Sequence, residues 1–212
     1  MERGYIKTYN WVMKLLQKCD FEESSKRMEL RQISKNKVSI NFLERTYSIT
    51  KDAIELTDQK IKWIPKTNGY AGYEYNLKSV LGYYLLSEAE ANPINDFCTL
   101  GYFSGGVFGR NDIFSGPLER VYGGNYGKFR EIAEKTGMTL ELEKSSGKYV
   151  WRYTLLPKVP VKIIYYEGDD EYPTKLQILY DKTAIKIFKF EPLAVLHDCF
   201  INGLAAIGEN VG

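Results

Sequence analysis

The chain has 212 residues, of which 44% are hydrophobic and 26% charged. This composition is that of a globular protein rather than a disordered one, and a chain of this length can bury a core of its own. Lys and Arg number 29 against 27 Asp and Glu, a net charge of +2. Because the two signs are interspersed and form no basic stripe, we expect no nucleic-acid partner.

The cysteine content and the hydropathy pattern restrict the environment of the protein. No stretch approaches the roughly 18 consecutive apolar residues of a membrane span, so no membrane partner is expected. Cys19, Cys98 and Cys199 are far apart and odd in number, which argues against a disulfide framework and a cysteine-cluster metal site. With His197 as the single histidine, a histidine-based zinc site is not expected either. The economical prediction is a cytoplasmic protein.

Two helices are predicted at the start of the chain. Apolar residues recur at helical spacing from residue 5 to residue 16. Asp20 is placed to cap a second helix that ends near Leu30. Glu22 and Glu23 fall in the first turn of that helix, where acidic side chains interact favourably with the helix dipole.

The period then changes to two, which predicts a small antiparallel meander. Residues 38–42 and 47–49 alternate between apolar and polar, and residues 53–56 are a candidate third strand. Residues 1–60 are therefore a candidate N-terminal lobe within a single α+β domain of residues 1–212.

A longer helix is predicted next. Asn76 is placed to cap a helix from residue 77 to about residue 91, which Pro93 would follow. Gly82 lies on this helix, where the absence of a side chain permits close packing against a neighbour.

Two shorter helices follow. One is expected after Ser115, with Pro117 in its first turn, and the other runs from about residue 126 to residue 135 and is closed by Gly137. The segment Gly123–Phe129 precedes the second of these helices, where N–H groups can bind phosphate. It is too short for a P-loop, so punctuation between helices is the favoured interpretation.

The last third of the chain is rich in predicted strands. These strands are residues 139–143, 149–155, 161–166 and 175–180. Residues 183–190 are expected to be extended, and a final helix opens at Glu191 and Pro192. The inner face of that helix comprises Leu193, Leu196, Phe200, Leu204 and Ile207. The predicted fold class is α+β, with helices on a largely antiparallel sheet and the C-terminal helix closing the core.

One pattern in this last third resembles a known family. It consists of Leu156-Pro157-x-x-Pro160, an apolar strand, Glu167-Gly168-Asp169-x-Glu171-aromatic-Pro173, Ile178-Leu179-Tyr180-Asp181 and Glu191-x-Leu193-Ala194-Val195-Leu196. The pattern resembles a family of bacterial and archaeal domains of unknown function that is common in anaerobes. The resemblance implies no established activity. Some relatives are joined to a Cys-rich iron–sulfur segment or lie near corrinoid and one-carbon metabolism, but this chain has no Cys-rich segment.

The acidic turn of residues 167–171 has three interpretations. Carboxylate oxygens suit Ca²⁺ or Mg²⁺, although the segment lacks the length and alternation of an EF-hand loop. Glu167 and Asp169 are also candidates for acid–base catalysis if one of them lies in a desolvating cleft. The third and favoured interpretation is a strand connection, in which Gly168 supplies an unusual backbone angle and Asp169 caps the turn. A ligand-facing role would use Glu167, Asp169 and Glu171.

The glycine-rich segment of residues 101–110 is a second candidate site. Glycines let a ligand approach backbone N–H groups, the rings of Tyr102 and Phe103 can stack on it, and Arg110 can pair with an anion. The favoured interpretation is nevertheless a loop with a bulged strand and buried aromatic side chains. The candidate ligand-binding residues here are Tyr102, Phe103, Gly105, Gly106 and Arg110.

No residue is assigned a catalytic or metal-binding role. His197 lies beside Asp198 and Cys199, but neighbours one or two apart on a helix point in different directions, and no serine lies in a nucleophile elbow. The favoured function is a non-catalytic accessory module that binds a small molecule or a protein partner, which the resemblance associates with anaerobic metabolism. The alternatives are an enzyme that uses Glu167 and Asp169, and an interaction protein anchored by exposed aromatic residues. No feature selects a cofactor or an oligomeric state.

Overall fold

The computed structural model describes residues 3–65, 70–105, 115–144 and 146–210. Within these ranges the chain forms seven α-helices and nine strands, and the predicted α+β class is confirmed. In chain order the elements are α1 (Gly4–Leu16), α2 (Phe21–Arg27), β1 (Arg31–Ser34), β2 (Lys37–Phe42), β3 (Arg45–Thr50), β4 (Ile54–Gln59), α3 (Tyr70–Leu85), β5 (Phe97–Thr99), a short 3-10 helix (Leu100–Ser104), α4 (Gly116–Tyr122), α5 (Tyr126–Lys135), β6 (Thr139–Lys144), β7 (Lys148–Leu156), β8 (Val159–Tyr166), β9 (Lys175–Asp181), α6 (Ala184–Ile187) and α7 (Phe190–Asn210).

The strands form two antiparallel sheets. The first is a meander in the order β1-β2-β3-β4, and the second has the order β5-β9-β8-β7-β6. The sequence predicted the meander one strand short. Strand β1 was missed because all four of its side chains are exposed, so it carries none of the alternation in hydrophobicity that identifies a half-buried strand.

Helix α7 is the centre of the core and packs against α3 and α4. All five residues of its predicted inner face are fully buried. Within the described part of the chain it is the one helix long and apolar enough to cross a membrane, but 61% of its apolar window is buried inside the fold. A helix that is apolar around most of its circumference is expected at the centre of a core.

Two buried tyrosines anchor α7 by hydrogen bonds to its backbone carbonyls. Tyr73 Oη on α3 donates to Cys199 O at 2.8 Å, and Tyr122 Oη on α4 donates to Leu204 O at 2.6 Å. Burial raises the pKa of both phenols well above the ordinary value. Both groups are therefore protonated donors throughout the physiological pH range.

Glycines set the distance between the central helices and their neighbours. A Cβ atom at Gly203 on α7 would lie 2.7 Å from Leu43 Cδ1 and 2.9 Å from Tyr73 Oη. At Gly82 on α3 it would overlap Val12 Cγ1 of α1. These distances are shorter than a van der Waals contact, so only glycine fits without displacing the neighbour. The prediction that Gly82 permits close packing is confirmed.

Helix α3 starts and ends earlier than the sequence predicted. It begins at Tyr70 and ends at Leu85, so Asn76 lies inside the helix rather than at its N-cap. The first turns are stabilised by a contact that local sequence does not reveal, because Tyr73 packs edge to face on Trp63 with ring centroids 5.9 Å apart. A cap at Asn76 would leave Tyr73 outside the helix.

Asp181 is the last residue of β9, and its side chain joins the segment before β5 to the segment after β9 by hydrogen bonds. Its carboxylate is fully buried and accepts hydrogen bonds from Ile94 N, Asn95 N, Thr183 N and Thr183 Oγ1 at 2.6 to 3.0 Å. Burial by itself raises the pKa of this carboxyl, but the four hydrogen bonds outweigh burial and hold the pKa below its ordinary value of 3.8. The bonds to Thr183 fold the chain back. The prediction of an extended segment over 183–190 is therefore wrong, and α6 forms there instead.

Replacing Gly203 with alanine is expected to lower the free energy of unfolding by about 1–3 kcal/mol, because the added methyl group overpacks the contact with Leu43 and Tyr73. This loss exceeds the roughly 1 kcal/mol by which alanine favours a helix over glycine. Denaturant unfolding measures the difference. The matched control is Gly127→Ala on α5, where a Cβ would meet only Asn125 Oδ1 at 3.7 Å. Equal stability of the two variants would contradict the close approach at Gly203.

Asp181→Asn is expected to lower the free energy of unfolding at neutral pH by about 3 kcal/mol, because an amide cannot accept all four hydrogen bonds. Since the pKa of Asp181 is depressed in the folded state, its contribution is present above the ordinary carboxyl pKa and is lost as the pH falls through the folded pKa. The stability gap to the wild type, measured by denaturant unfolding, should narrow below about pH 4. A gap that does not change with pH would show that the ionised carboxylate is not its source.

Candidate functional site

The two segments that the sequence singled out lie at opposite ends of β9. Lys182 Nζ, just beyond the C-terminal end of this strand, is 5.4 Å from the centroid of the Tyr102 ring. Glu167 follows Tyr166, which pairs with Lys175 at the start of the strand. The seven residue-to-residue steps from Lys175 to Lys182 span roughly 23 Å of extended chain. The structure therefore does not bring the two segments into one site.

The glycine-rich segment is described in part. Tyr102 and Phe103 lie in the 3-10 helix with their rings edge to face and centroids 5.8 Å apart. Gly105 follows with a φ of 63°, a conformation that favours glycine. Tyr102 is 54% exposed, whereas Phe103 packs against the core. Gly106 and Arg110 lie outside the described residues.

The acidic turn is the connection between β8 and β9. Asp169 Oδ1 accepts hydrogen bonds from Glu171 N at 2.9 Å and Tyr172 N at 2.8 Å, which caps the turn. Gly168 does not have a positive φ, so its expected role as the source of an unusual backbone angle is wrong. It is needed instead for close approach, because a Cβ atom there would lie 2.6 Å from Thr174 N.

A cavity of about 450 Å³ opens beside this connection. It is lined by Glu119, Tyr166, Glu167, Tyr172, Pro173, Thr174, Lys175 and Gln177. This volume lies within the range of small-molecule sites. Of the lining residues, the sequence had singled out only Glu167. The pair Tyr172-Pro173 closes the acidic turn and was visible as a motif, whereas nothing in the sequence connects Glu119 on α4 with a turn about fifty residues further on.

Two carboxylates and one exposed tyrosine ring dominate the chemistry of this cavity. Glu167 accepts a hydrogen bond from Tyr149 Oη at 3.4 Å, and Glu119 accepts one from Ser115 Oγ at 3.0 Å. Each carboxylate has about four acceptor sites, so both retain capacity for a ligand. The ring of Tyr172 is 68% exposed. Carboxylates beside an exposed ring are suited to an organic cation.

Groups with the chemistry of a metal or thiol site lie apart from this cavity. Among the residues that the structure describes, no cluster of three His, Cys, Asp or Glu side chains is placed to hold a metal ion. The three cysteines are free. His197 is 1% exposed, and its Nδ1 atom lies 3.0 Å from Tyr180 Oη inside the core.

The geometry favours binding over acid–base catalysis at Glu167 and Asp169. A general acid at neutral pH needs a desolvated carboxyl, and both side chains are exposed. One oxygen of Asp169 is in addition held by the two N–H groups of the turn. The Glu167 carboxyl group therefore lies at the cavity in contact with solvent, where its oxygens can face a cation.

Comparison with known families identifies the relatives of the chain. Residues 20–203 match the model of a family described as a domain of unknown function, DUF3786. Because this match covers most of the chain, the protein belongs to that family, and the resemblance to a family of unknown function is confirmed. No curated protein and no solved structure matches the chain.

The first motif of the resemblance has a structural role. Leu156-Pro157-x-x-Pro160 forms the turn between β7 and β8, where Lys158 N donates to Tyr84 Oη at 2.9 Å. Tyr84 Oη in turn donates to Met28 O at 3.1 Å, and Lys158 Nζ donates to Asn92 Oδ1 at 3.1 Å. This turn therefore joins the five-stranded sheet to α3 and to the end of α2.

Asp169→Ala is expected to lower the free energy of unfolding by about 1 kcal/mol, because two backbone N–H groups of the turn lose their acceptor. Asp170→Ala is the matched control, since Asp170 is an exposed neighbour of the same charge and should change stability by less than about 0.5 kcal/mol. Denaturant unfolding measures both variants, and hydrogen exchange at the Tyr172 amide should accelerate only in the first. Equal effects of the two changes would contradict the capping role.

Proposed function

We propose that this protein is a non-catalytic binding module for an organic cation. The ligand is an alkylammonium or guanidinium group, carried by a small molecule or by a side chain of a protein partner. Its site is the cavity between α4 and the β8–β9 connection. The observation that carries the proposal is the combination of the exposed Tyr172 ring with the carboxylates of Glu119 and Glu167 around one cavity. We also propose a cytoplasmic location, which the three free thiols support.

Two attractive terms act on a cation in this cavity. The ring face of an exposed tyrosine contributes about 0.5–1 kcal/mol. The carboxylates of Glu119 and Glu167 add Coulomb attraction, which solvent and salt reduce but do not abolish at short range. Lys175 also lines the cavity, so two negative charges face one positive charge. The balance favours a ligand with a single positive charge.

Two carboxyl groups with a shifted pKa lie away from the cavity, whereas desolvation raises the pKa of Tyr149, whose phenol donates a hydrogen bond to Glu167. Perturbed pKa values concentrate at catalytic sites. The carboxyl of Asp181 has a lowered pKa but holds two chain connections together, and burial raises the pKa of Asp198 on α7. Neither side chain lines the cavity.

Tyr172→Ala is expected to weaken the binding of tetramethylammonium about two- to fivefold, which is the loss of one exposed cation–π contact. Tyr172→Phe should bind as the wild type does, because the ring face is retained. Glu167→Gln should weaken binding more at low than at high salt. The matched control is Tyr102→Ala, since Tyr102 is similarly exposed and lies at the far end of β9. Nuclear magnetic resonance titration of the tyrosine ring signals measures each affinity.

Parallel titrations with tetramethylammonium, free arginine and a lysine-containing peptide distinguish a small molecule from a protein side chain as the source of the cation. Tighter binding of the peptide than of the free cations would identify a protein side chain as the ligand. No saturable binding of any of the three probes would overturn the proposed function. An equal loss of affinity in Tyr102→Ala and Tyr172→Ala would contradict the assignment of the site to this cavity.

A further inference from the structure

One face of the five-stranded sheet carries several positively charged side chains that are far apart in the sequence. Residues directly opposite each other in an antiparallel sheet lie on the same face. Lys144, Lys148, Tyr166 and Lys175 are successive partners across β6, β7, β8 and β9. They form a transverse row of three lysines and one tyrosine, and both end lysines are exposed.

A second row, two residues further along the strands, is mainly apolar. Leu142, Val150, Ile164 and Gln177 are successive partners across the same four strands. Val150 and Ile164 are 8% and 7% exposed, and Leu142 is 38% exposed. Val150 and Ile164 are therefore almost covered, and Leu142 is the apolar side chain of this row that a partner can contact.

The third row is again cationic. Arg152 and Lys162 are partners on β7 and β8, and both contact Glu141, at 3.4 and 2.7 Å. The face therefore carries five cations and one carboxylate, in a chain whose total net charge is only +2. We call these three rows the basic face.

Helices pack on the opposite face of the sheet. Phe129 on α5 lies against Trp151 and Tyr165, with centroid distances of 6.2 and 5.4 Å. Phe200 on α7 stacks on Tyr153 at 6.0 Å. These strand residues alternate with those of the basic face, and side chains alternate between the two faces of a strand. The basic face is thus directed away from α5 and α7.

We propose that the basic face docks an acidic helix of a protein partner. The two cationic rows are four residues apart along each strand, or about 13 Å, which is close to the 10–12 Å diameter of an α-helix with its side chains. The first two rows each cross four strands and are therefore about 14 Å long, which corresponds to roughly nine helical residues. A helix with Asp or Glu on both flanks and an apolar side chain placed against Leu142 matches this pattern of charge and exposure.

The aromatic rings of the basic face favour a protein over a nucleic acid. Sheets that bind single-stranded nucleic acid offer open aromatic faces on which bases stack. Here Lys148 Nζ lies 5.2 Å from the centre of the Tyr166 ring, and Lys162 Nζ lies 4.7 Å from the centre of the Phe97 ring. Cations therefore already occupy these rings, and the central row offers aliphatic side chains instead of rings.

The test uses a fluorescein-labelled helical peptide of Leu, Glu and Ala, with Leu at helical spacing and Glu on both flanks. We expect binding by fluorescence anisotropy that weakens as ionic strength rises. Lys144→Glu with Lys148→Glu should weaken it about tenfold, because two attractions become repulsions. Lys144→Gln with Lys148→Gln should have a smaller effect in the same direction. The matched control is Lys7→Glu with Lys14→Glu, an equal charge change at exposed positions of α1, which should leave the affinity unchanged.

Three outcomes would overturn the proposal. If a scrambled peptide of the same composition binds equally well, then the charge of the peptide determines binding and the helical arrangement of its Leu and Glu residues does not. An oligothymidylate that binds more tightly than the peptide would identify the face as a nucleic-acid site. An equal loss of affinity in the α1 control would show that the net charge of the protein, and not the basic face, determines the affinity for the peptide. Circular dichroism verifies that each variant is folded. Because Tyr172→Ala should leave peptide binding intact, failure here is distinguishable from failure of the cation-binding proposal.

Discussion

The close approach of α7 to the elements on both sides of it is the constraint on which the rest of the fold depends. A Cβ atom at Gly203 would meet Leu43 and Trp63 on one side, and one at Gly208 would overlap Tyr122 on the other. Interiors are packed at the density of organic crystals, so a helix with larger residues at these positions would stand away from both neighbours. The hydrogen bonds from Tyr73 and Tyr122 to α7 would then be lost, together with the burial of its apolar face.

The hairpin of β8 and β9 combines support of the fold with the surfaces proposed for binding. Asp169 and Gly168 shape its connection, and Asp181 ties its far end to the neighbouring loops. Tyr166 and Lys175 belong both to the cavity and to the basic face. A negatively charged cavity and a positively charged face therefore share one edge. The residues Gly168, Asp169 and Asp181 of this hairpin therefore shape the fold and do not by themselves indicate a chemistry.

Predictions from local pattern were confirmed where contacts between neighbouring residues determine the stability of a helix end. Asp20 caps α2 because its carboxylate reaches the N–H groups two and three residues on, and Gly137 closes α5 with a φ of 77°. The predictions for the start of α3 and for the conformation of residues 183–190 were wrong, because contacts with residues distant in sequence determine both. Tyr73 extends α3 by packing on Trp63, and Asp181 folds the following chain back into α6.

Local pattern predicted the fold class, strands β6 to β9 of the second sheet and the inner face of α7, because burial imposes a period of 2 on strands and 3.6 on helices. It did not predict β5 of the same sheet, which has three residues. Which distant side chains share a surface became visible in the folded structure alone. It placed Glu119 beside Glu167 and aligned Lys144, Lys148 and Lys175 in one row. Along the chain these lysines are interspersed with acidic residues. Strand register brings them together, and register depends on the pairing of whole strands rather than on local pattern.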